Sequence, residues 1–273
     1  MAIQWGKARI FQYLVYFVAL KSLSMLKEER QTFIMRQINL HNKVLSADLS
    51  AMLSISEDTV RRDLKELAEA GQVIKVHGGA IGRSFHYPFN EENAVYALEA
   101  KRQIAAKTIK LLKQDMLVLT GGGTTMIELA KMIPDHLRIT FFTISPLVAL
   151  QLAEHSNLTV ISIGGQLSKS SNVHLGASVI NQLADIKVDL CLLGTNGLSI
   201  QEGMTDSDWE VVQVKRAMIR SANRLGILCI AEKLSSVQRM KVCDLHVIDY
   251  LVTELNPDHP TLIPYQQLSL ELH

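Results

Sequence analysis

A chain of 273 residues with 48% hydrophobic content can bury a sizeable core and has room for two domains. Its 28 basic residues are matched by 27 acidic ones, which excludes a globally basic nucleic-acid coat, so any DNA contact must come from a local patch. Three cysteines far apart in sequence, with no CxxC, suit reduced core thiols in a cytosolic protein, and the nine scattered histidines lack metal-ligand spacing, so neither metal nor cofactor is expected.

Residues 1–24 carry an apolar stretch, Ile10, Phe11, Leu14, Val15, Phe17, Val18, Ala19 and Leu20, with Lys7, Arg9 and Lys21 around it. The run is shorter than the roughly 20 residues that span a bilayer, and no clear small-residue cleavage site follows. The preferred reading is an N-terminal extension, disordered, loosely docked or a start-site artefact, ahead of a folded chain that begins at Met25. Leu26–Asn39 then reads as a helix with Phe33, Ile34, Ile38 and Leu40 on its apolar face. His41, Asn42 and Lys43 form a turn, and Val44 starts a short strand.

From Ser46 to Gly79 the pattern is two short helices, a tight turn and a hairpin. Ser46 is the expected N-cap of the first helix, with Leu49, Met52 and Leu53 buried. Ser54 and Ile55 turn the chain. Ser56 caps the second helix, Glu57 and Asp58 sit where the dipole favours acids, Val60, Leu64 and Leu67 make the buried stripe, and Gly71 ends it. At about 100° per residue, Asp58, Arg61, Arg62 and Lys65 project away from that stripe. Such a helix fits a DNA major groove, with guanidinium groups reaching bases or phosphates. Residues 72–79 alternate as a strand running to a double-glycine turn, with Lys75 and His77 on one side. The same spacing also fits an ordinary helical hairpin with solvated charges.

Ile81–Phe89 is expected to be a linker, because Gly82, Ser84 and Pro88 interrupt regular structure. Glu91–Lys113 reads as helix, with Ala97, Ile104, Ala105, Ile109 and Leu112 inward and Lys101 and Arg102 outward. Strands are then expected at 116–120, 139–143, 158–163, 188–194, 225–231, 246–248 and 251–253, and helices at 125–133, 145–155, 179–185 and 208–222, with one further edge strand near Tyr265. That alternation predicts a mainly parallel, Rossmann-like α/β sheet with helices on both faces.

Ligands of such sheets gather at the carboxyl ends of strands. Gly121, Gly122, Gly123, Thr124 and Thr125 follow a strand and open a helix, a composition suited to a phosphate. Thr125 and Glu128 equally fit a capping box. Ser145 before Pro146 reads as a cap with proline at N1. Gln166 and Lys169 follow the next strand, Asn196 another, and Lys233 the one after, where an ammonium can meet an anion or simply face solvent. Ser207 and Glu210 fit a second capping box, and Lys215 and Arg216 a solvated helix face.

The segment from Ser54 to Ala80 resembles the winged helix-turn-helix of DeoR-type bacterial transcription regulators, through Ser56, Thr59, Val60, Arg61, Arg62, Asp63, Leu64, Leu67, Gly71, His77, Gly78, Gly79 and Ala80. The resemblance implies a helix-turn-helix over Val44 to Asp63 whose second helix reads an operator. Residues 93–254 resemble the DeoR-type sensor domain, similar in fold to ribose-5-phosphate isomerase, through Gly123, Thr124, Thr125, Gly164, Gly165, Gly203, Thr205, Glu210, Lys215, Arg216 and Lys233. Departures from the family pattern are specific. Acidic positions are Gly121, Asn196 and Ile230 here, and an amide position is Ile144. Isomerisation needs a general base near the substrate, so these losses count against an isomerase with an accessory winged helix.

The expectation is therefore a DNA-binding regulator, a repressor of a carbohydrate operon, and not an enzyme. It comprises an extension (1–24), a winged helix-turn-helix (25–81), a linker (82–92) and a sensing and oligomerisation domain (93–273). Operator contacts fall to Ser56, Asp58, Thr59, Arg61, Arg62, Lys65, Lys75 and His77. A phosphorylated sugar or related effector falls to Gly121, Gly122, Gly123, Thr124, Thr125, Ser145, Gln166, Lys169, Asn196, Lys215 and Lys233. The expected partners are double-stranded operator DNA, that effector, and further copies of the chain in a dimer or tetramer, in the cytoplasm and without a membrane.

Overall fold

The computed structural model describes residues 25–41, 43–82 and 95–273. The apolar stretch at the N-terminus and most of the expected linker lie outside the described residues. The chain divides into two compact units, residues 1–83 and 84–273.

In the first unit, α1 (Lys27–His41) leads through β1 (Lys43–Leu45) into α2 (Ser46–Leu53), α3 (Glu57–Glu69) and a hairpin of β2 (Val73–Val76) and β3 (Gly79–Gly82). The core is Ile34, Ile38, Val44, Leu49, Leu53, Val60, Leu64, Leu67, Val73 and Ala80. Met52, expected inside, is 57% exposed. Ser46 does not cap α2. It is the first helical residue, buried, and its N–H donates to Gly78 O at 2.8 Å. Ser56 does cap α3, accepting from the Thr59 N–H at 3.2 Å.

The three strands pair antiparallel in the order β1-β3-β2. Val76 pairs with Gly79, so the wing tip is His77–Gly78, with Gly78 at φ 74°. Gly79 belongs to the strand, and a Cβ there would sit 1.9 Å from Val44 O. Ile81 and Gly82 also lie in β3 and are buried, which corrects the linker expected from Ile81 onward. Glycine does not break the strand because β3 is held on both sides by neighbours.

The second unit opens with α4 (Leu98–Ile109), shorter than the helix expected to run to Lys113. A seven-stranded sheet follows, in the order β15-β14-β12-β9-β4-β5-β6, every pair parallel. Its strands are β4 (Leu117–Thr120), β5 (Ile139–Thr143), β6 (Leu158–Ser162), β9 (Val188–Gly194), β12 (Ala222–Leu228), β14 (Tyr250–Val252) and β15 (Glu271–Leu272). Between them run α5 (Thr124–Lys131), α6 (Pro146–Leu152), α7 (Ala177–Ala184) and α8 (Trp209–Arg220). Residues 245–247 form a 3-10 turn instead of the expected strand, and Tyr265 lies in α9 (Ile263–Gln266), leaving the edge strand to Glu271–Leu272. Smaller strands were not foreseen: β7 (Gln166–Ser168) with β8 (Val173–Leu175), and β10 (Gly197–Ser199), β11 (Gly203–Asp206) and β13 (Met240–Cys243). One face of the sheet packs on a core that includes Leu119, Cys191, Leu193, Val179, Val214, Met218 and Ile227. Burial raises the Cys229 thiol to about 12 and Cys243 to about 11, in keeping with inert core thiols.

One buried ion pair fixes α3 against α1. The Arg30 guanidinium grips Asp63 through Nε–Oδ2 at 2.5 Å and Nη2–Oδ1 at 3.0 Å, and the Asp63 side chain is 3% exposed. The hydrogen bond to Asp63 raises Arg30 above its ordinary value despite partial burial. Asp63→Ala would strand that guanidinium, at about 3 kcal/mol for a broken buried pair. Amide hydrogen exchange read by mass spectrometry should then show α3 opening roughly a hundredfold more often, while the sheet unit is unchanged.

Candidate functional site: helix α3 and the carboxyl end of the sheet

On α3, Asp58, Arg61, Arg62 and Lys65 are exposed and turned away from the Val60–Leu64–Leu67 stripe. Their states differ. Arg61 is held by Glu57 at 2.8 Å and Asp58 at 3.3 Å, one turn earlier on its own helix. Lys65 reaches Glu69 at 3.7 Å. Arg62 has no ion pair or hydrogen bond among the described residues. The Ser56 and Thr59 hydroxyls bond to each other at 2.9 Å, so both serve the cap. Lys75 and His77 are exposed on the wing.

In the second unit, the sheet order places the topological switch point between β4 and β9. The chain builds outward from β4 through β5 to β6, then returns to start β9 on the other side. The loops leaving these two strands face each other. The Gly121 N–H donates to Leu192 O at 3.0 Å, and a Cβ on Gly194 would lie 3.9 Å from Gly122 O. Gly122 has no room for a side chain, since its Cβ would sit 2.5 Å from Val173 Cγ1 and 3.3 Å from Ser145 Cβ.

Helix α5 opens at Gly123 with no side-chain cap. The expected Thr125–Glu128 capping box is absent, because Glu128 turns to Arg102 at 3.4 Å and Lys131 at 2.8 Å. The Thr124 and Thr125 hydroxyls make no hydrogen bond among the described residues, and a helix's first amides have no intrahelical acceptor. Just before the loop, the Thr120 hydroxyl is buried and without a partner.

Beyond β9, Lys233 donates to Thr195 O at 2.9 Å. Burial lowers its ammonium to about 8, with Cys229 and Asp206 opposing and Lys215 adding repulsion. Lys215 is not on a solvated face. It donates to Gly194 O at 2.9 Å and to buried Asp206 at 2.8 Å, while Arg216 binds Lys241 O at 2.6 Å. Asn196 donates to the other Asp206 oxygen at 2.9 Å. Burial raises Asp206, but the Lys215 charge and the hydrogen bonds from Lys215, Asn196 and the Ser207 N–H outweigh it and hold the carboxyl below the usual range. The cap of α8 is Asp208, accepting from the Glu210 and Val211 N–H groups, in place of the expected Ser207.

The sequence reading missed Lys101. Expected outside α4, it is 8% exposed and donates to Tyr96 O at 2.5 Å, while the Tyr96 hydroxyl donates to Glu232 at 2.6 Å, beside Lys233. Burial lowers Lys101 to about 8, Lys233 repels it further, and Glu128 opposes. Ser145 and the β7–β8 hairpin come next to the Gly122 loop, since Val173, which packs against Gly122, pairs with Ser168. Ser145 is buried, donating to Asn172 O at 3.2 Å behind Gly122, and Gln166 and Lys169 are exposed on the β7–β8 hairpin. Among the described residues no cluster could hold a metal, and no helix is long and apolar enough to cross a membrane.

Comparison with known proteins agrees with this architecture. Residues 30–84 match the DeoR-like helix-turn-helix domain, and residues 97–255 match the DeoR C terminal sensor domain. The transcriptional regulator GolR of Listeria innocua is 29% identical over 83% of this chain and 90% of its own length. The transcriptional repressor GlcR of Bacillus subtilis is 30% identical over 86% of this chain and 91% of its own. Ribose 5-phosphate isomerase A from Methanocaldococcus jannaschii aligns with 49% of this chain and 53% of that chain at 14% identity, with a TM-score of 0.37. The chain belongs to the DeoR family: it is a DNA-binding transcriptional regulator with a C-terminal sensor domain, and not an enzyme.

Proposed function

We propose that the protein represses a carbohydrate-metabolism operon in the cytoplasm and releases its operator when a phosphorylated metabolite binds at the β4–β9 switch point. The observation that carries the effector reading is the uncapped start of α5, reached by a loop whose Gly122 lies across from Gly194, one residue before the Thr195 carbonyl that holds Lys233. Free hydroxyls, orphan amides, a helix dipole and an ammonium converge there, the set of donors a phosphoryl group requires. Glycine at 122 lets the loop come that close to Ser145 and Val173. Asp206, which accepts from Asn196, is held by Lys215 and made less basic by it, which disfavours a general-base role and fits sensing in place of turnover.

On the DNA side, α3 enters the major groove, with Arg62 already without an ion pair among the described residues and Arg61 available once its acidic partners let go. Ser56, Thr59, Lys75 and His77 flank it. One such helix reads a short half-site, so the functional species is a symmetric dimer or tetramer on repeated half-sites. An effector changes DNA affinity only by binding two arrangements of the protein unequally.

Arg62→Ala should cost about 1–3 kcal/mol of operator affinity if its contact is a bidentate base edge; a phosphate contact instead lowers the salt slope by about one. Arg61→Ala should cost less, because removing it also removes the need to break two local ion pairs. Gel-shift titrations at several salt concentrations measure both, and an Arg62→Ala protein with unchanged affinity and slope refutes this docking. Lys233→Ala should keep operator binding and lose release. Calorimetry with a panel of sugar phosphates on wild type and Lys233→Ala reads this directly, and equal binding to both removes Lys233 from the pocket.

A further inference from the structure

The pocket is unbalanced in its hydrogen-bonding capacity. Its carboxylates, and the carbonyls at and after the end of β9, are engaged by the protein itself. Gly194 O and Thr195 O receive Lys215 and Lys233, and both Asp206 oxygens are taken by Lys215, Asn196 and the Ser207 N–H. Glu128 is held by Arg102 and Lys131, and Glu254 by the Ala231 N–H and the Thr253 hydroxyl. Its donors are not engaged to the same degree. The hydroxyls of Thr120, Thr124 and Thr125 have no partner among the described residues. Lys101 and Lys233 donate only to main-chain carbonyls, and neither has a carboxylate within salt-bridge distance among the described residues. Each sugar hydroxyl brings one proton as well as two lone pairs, and with the carboxylates engaged those protons are left to the threonine hydroxyls and the Asn196 side-chain oxygen, while the ammonium groups and open amides only donate. A carboxylate only accepts.

We propose, resting on the effector pocket above, that the ligand is anionic at both ends: a phosphorylated carboxylic acid, preferred over the phosphorylated aldose or polyol of the same length. Asn196, Gly121 and Ile230, which bring no carboxylate to the pocket, are the sequence basis of that preference. Two lysines that repel each other and have no carboxylate within salt-bridge distance among the described residues are left for the ligand's negative charge to neutralise; burial is the main cause of their lowered values. The charged groups around them are Glu128 and Lys233 for Lys101, and Lys215, Asp206 and the Cys229 thiol for Lys233. Each ammonium is charged below about 8 and loses its proton as the pH rises through that value, so the preference for a second anion should fall between pH 7 and pH 9.

The test uses the full chain and its thermal midpoint, read against ligand concentration at constant ionic strength. The probes are matched pairs: 6-phosphogluconate with glucose 6-phosphate, and 3-phosphoglycerate with glycerol 3-phosphate, with gluconate as the unphosphorylated control. The expected result is that at least one acid raises the midpoint at a concentration tenfold or more below its partner's, that gluconate is silent, and that the gap narrows at pH 9. Asn196→Asp, which adds a carboxylate, should shrink the gap. Stabilisation by glucose 6-phosphate or glycerol 3-phosphate equal to or better than by the acids overturns the proposal and leaves the phosphate pocket standing. A chain that responds to none of the phosphorylated probes removes the pocket along with it. Should Asn196→Asp fail to fold, the wild-type pairs decide alone.

Discussion

The parallel ladder between β4 and β9 is the constraint from which the ligand end of the molecule follows. These strands are far apart in sequence, and the connections leaving them run to opposite sides of the sheet. Neither crossover can cover the gap between their carboxyl ends, so a crevice is built into the topology before any side chain is chosen. The hydrogen bond from Gly121 to Leu192 holds the first loop on the end of β9. Lys233, Lys215 and Asn196 then reach the same few ångströms from β12, α8 and the β9 loop. Residues spread over more than a hundred positions meet because seven strands share one direction.

The DNA-binding unit depends on a comparable fixed point of a different kind. Its core is small, and α3 has one buried stripe to hold it. The Arg30–Asp63 pair adds direction to that packing: two parallel hydrogen bonds define a plane, and the plane sets the rotation of α3 about its axis. Asp63 therefore belongs to the structure of the unit although it sits beside Arg61 and Arg62 in sequence.

Periodicity exposed most of the fold because a parallel sheet buried on both faces reads as short apolar runs between amphipathic helices. Strands such as Ile139–Thr143 and Val188–Gly194 are found where expected. Local signals misled wherever tertiary partners outbid them. The Thr125–Glu128 spacing matches a capping box, yet Arg102 and Lys131 take the glutamate, and the threonines are left open. Gly82 reads as a breaker and is held in β3 by Val73. Lys101 reads as solvent-facing because nothing local reveals that Tyr96 and the Glu232–Lys233 turn, 136 residues apart, close over it. Asp206 escaped notice for the same reason: a lone aspartate at the end of the unforeseen β11 acquires meaning only when Lys215 and Asn196 arrive from other elements.

The charge balance of α3 has a kinetic consequence. Outside the buried Asp63, α3 carries Glu57, Asp58, Glu66 and Glu69 against Arg61, Arg62 and Lys65, and Arg61 is already bound to two of those acids. Sequence-independent attraction to a polyphosphate surface scales with the cations free to displace counterions. A helix with so little free positive charge contributes weakly to sequence-independent adhesion, and leaves that part to cations such as Lys75 on the wing. Weak sequence-independent adhesion of that kind favours hops through solution over long slides along a duplex, and leaves a larger share of a regulator unbound.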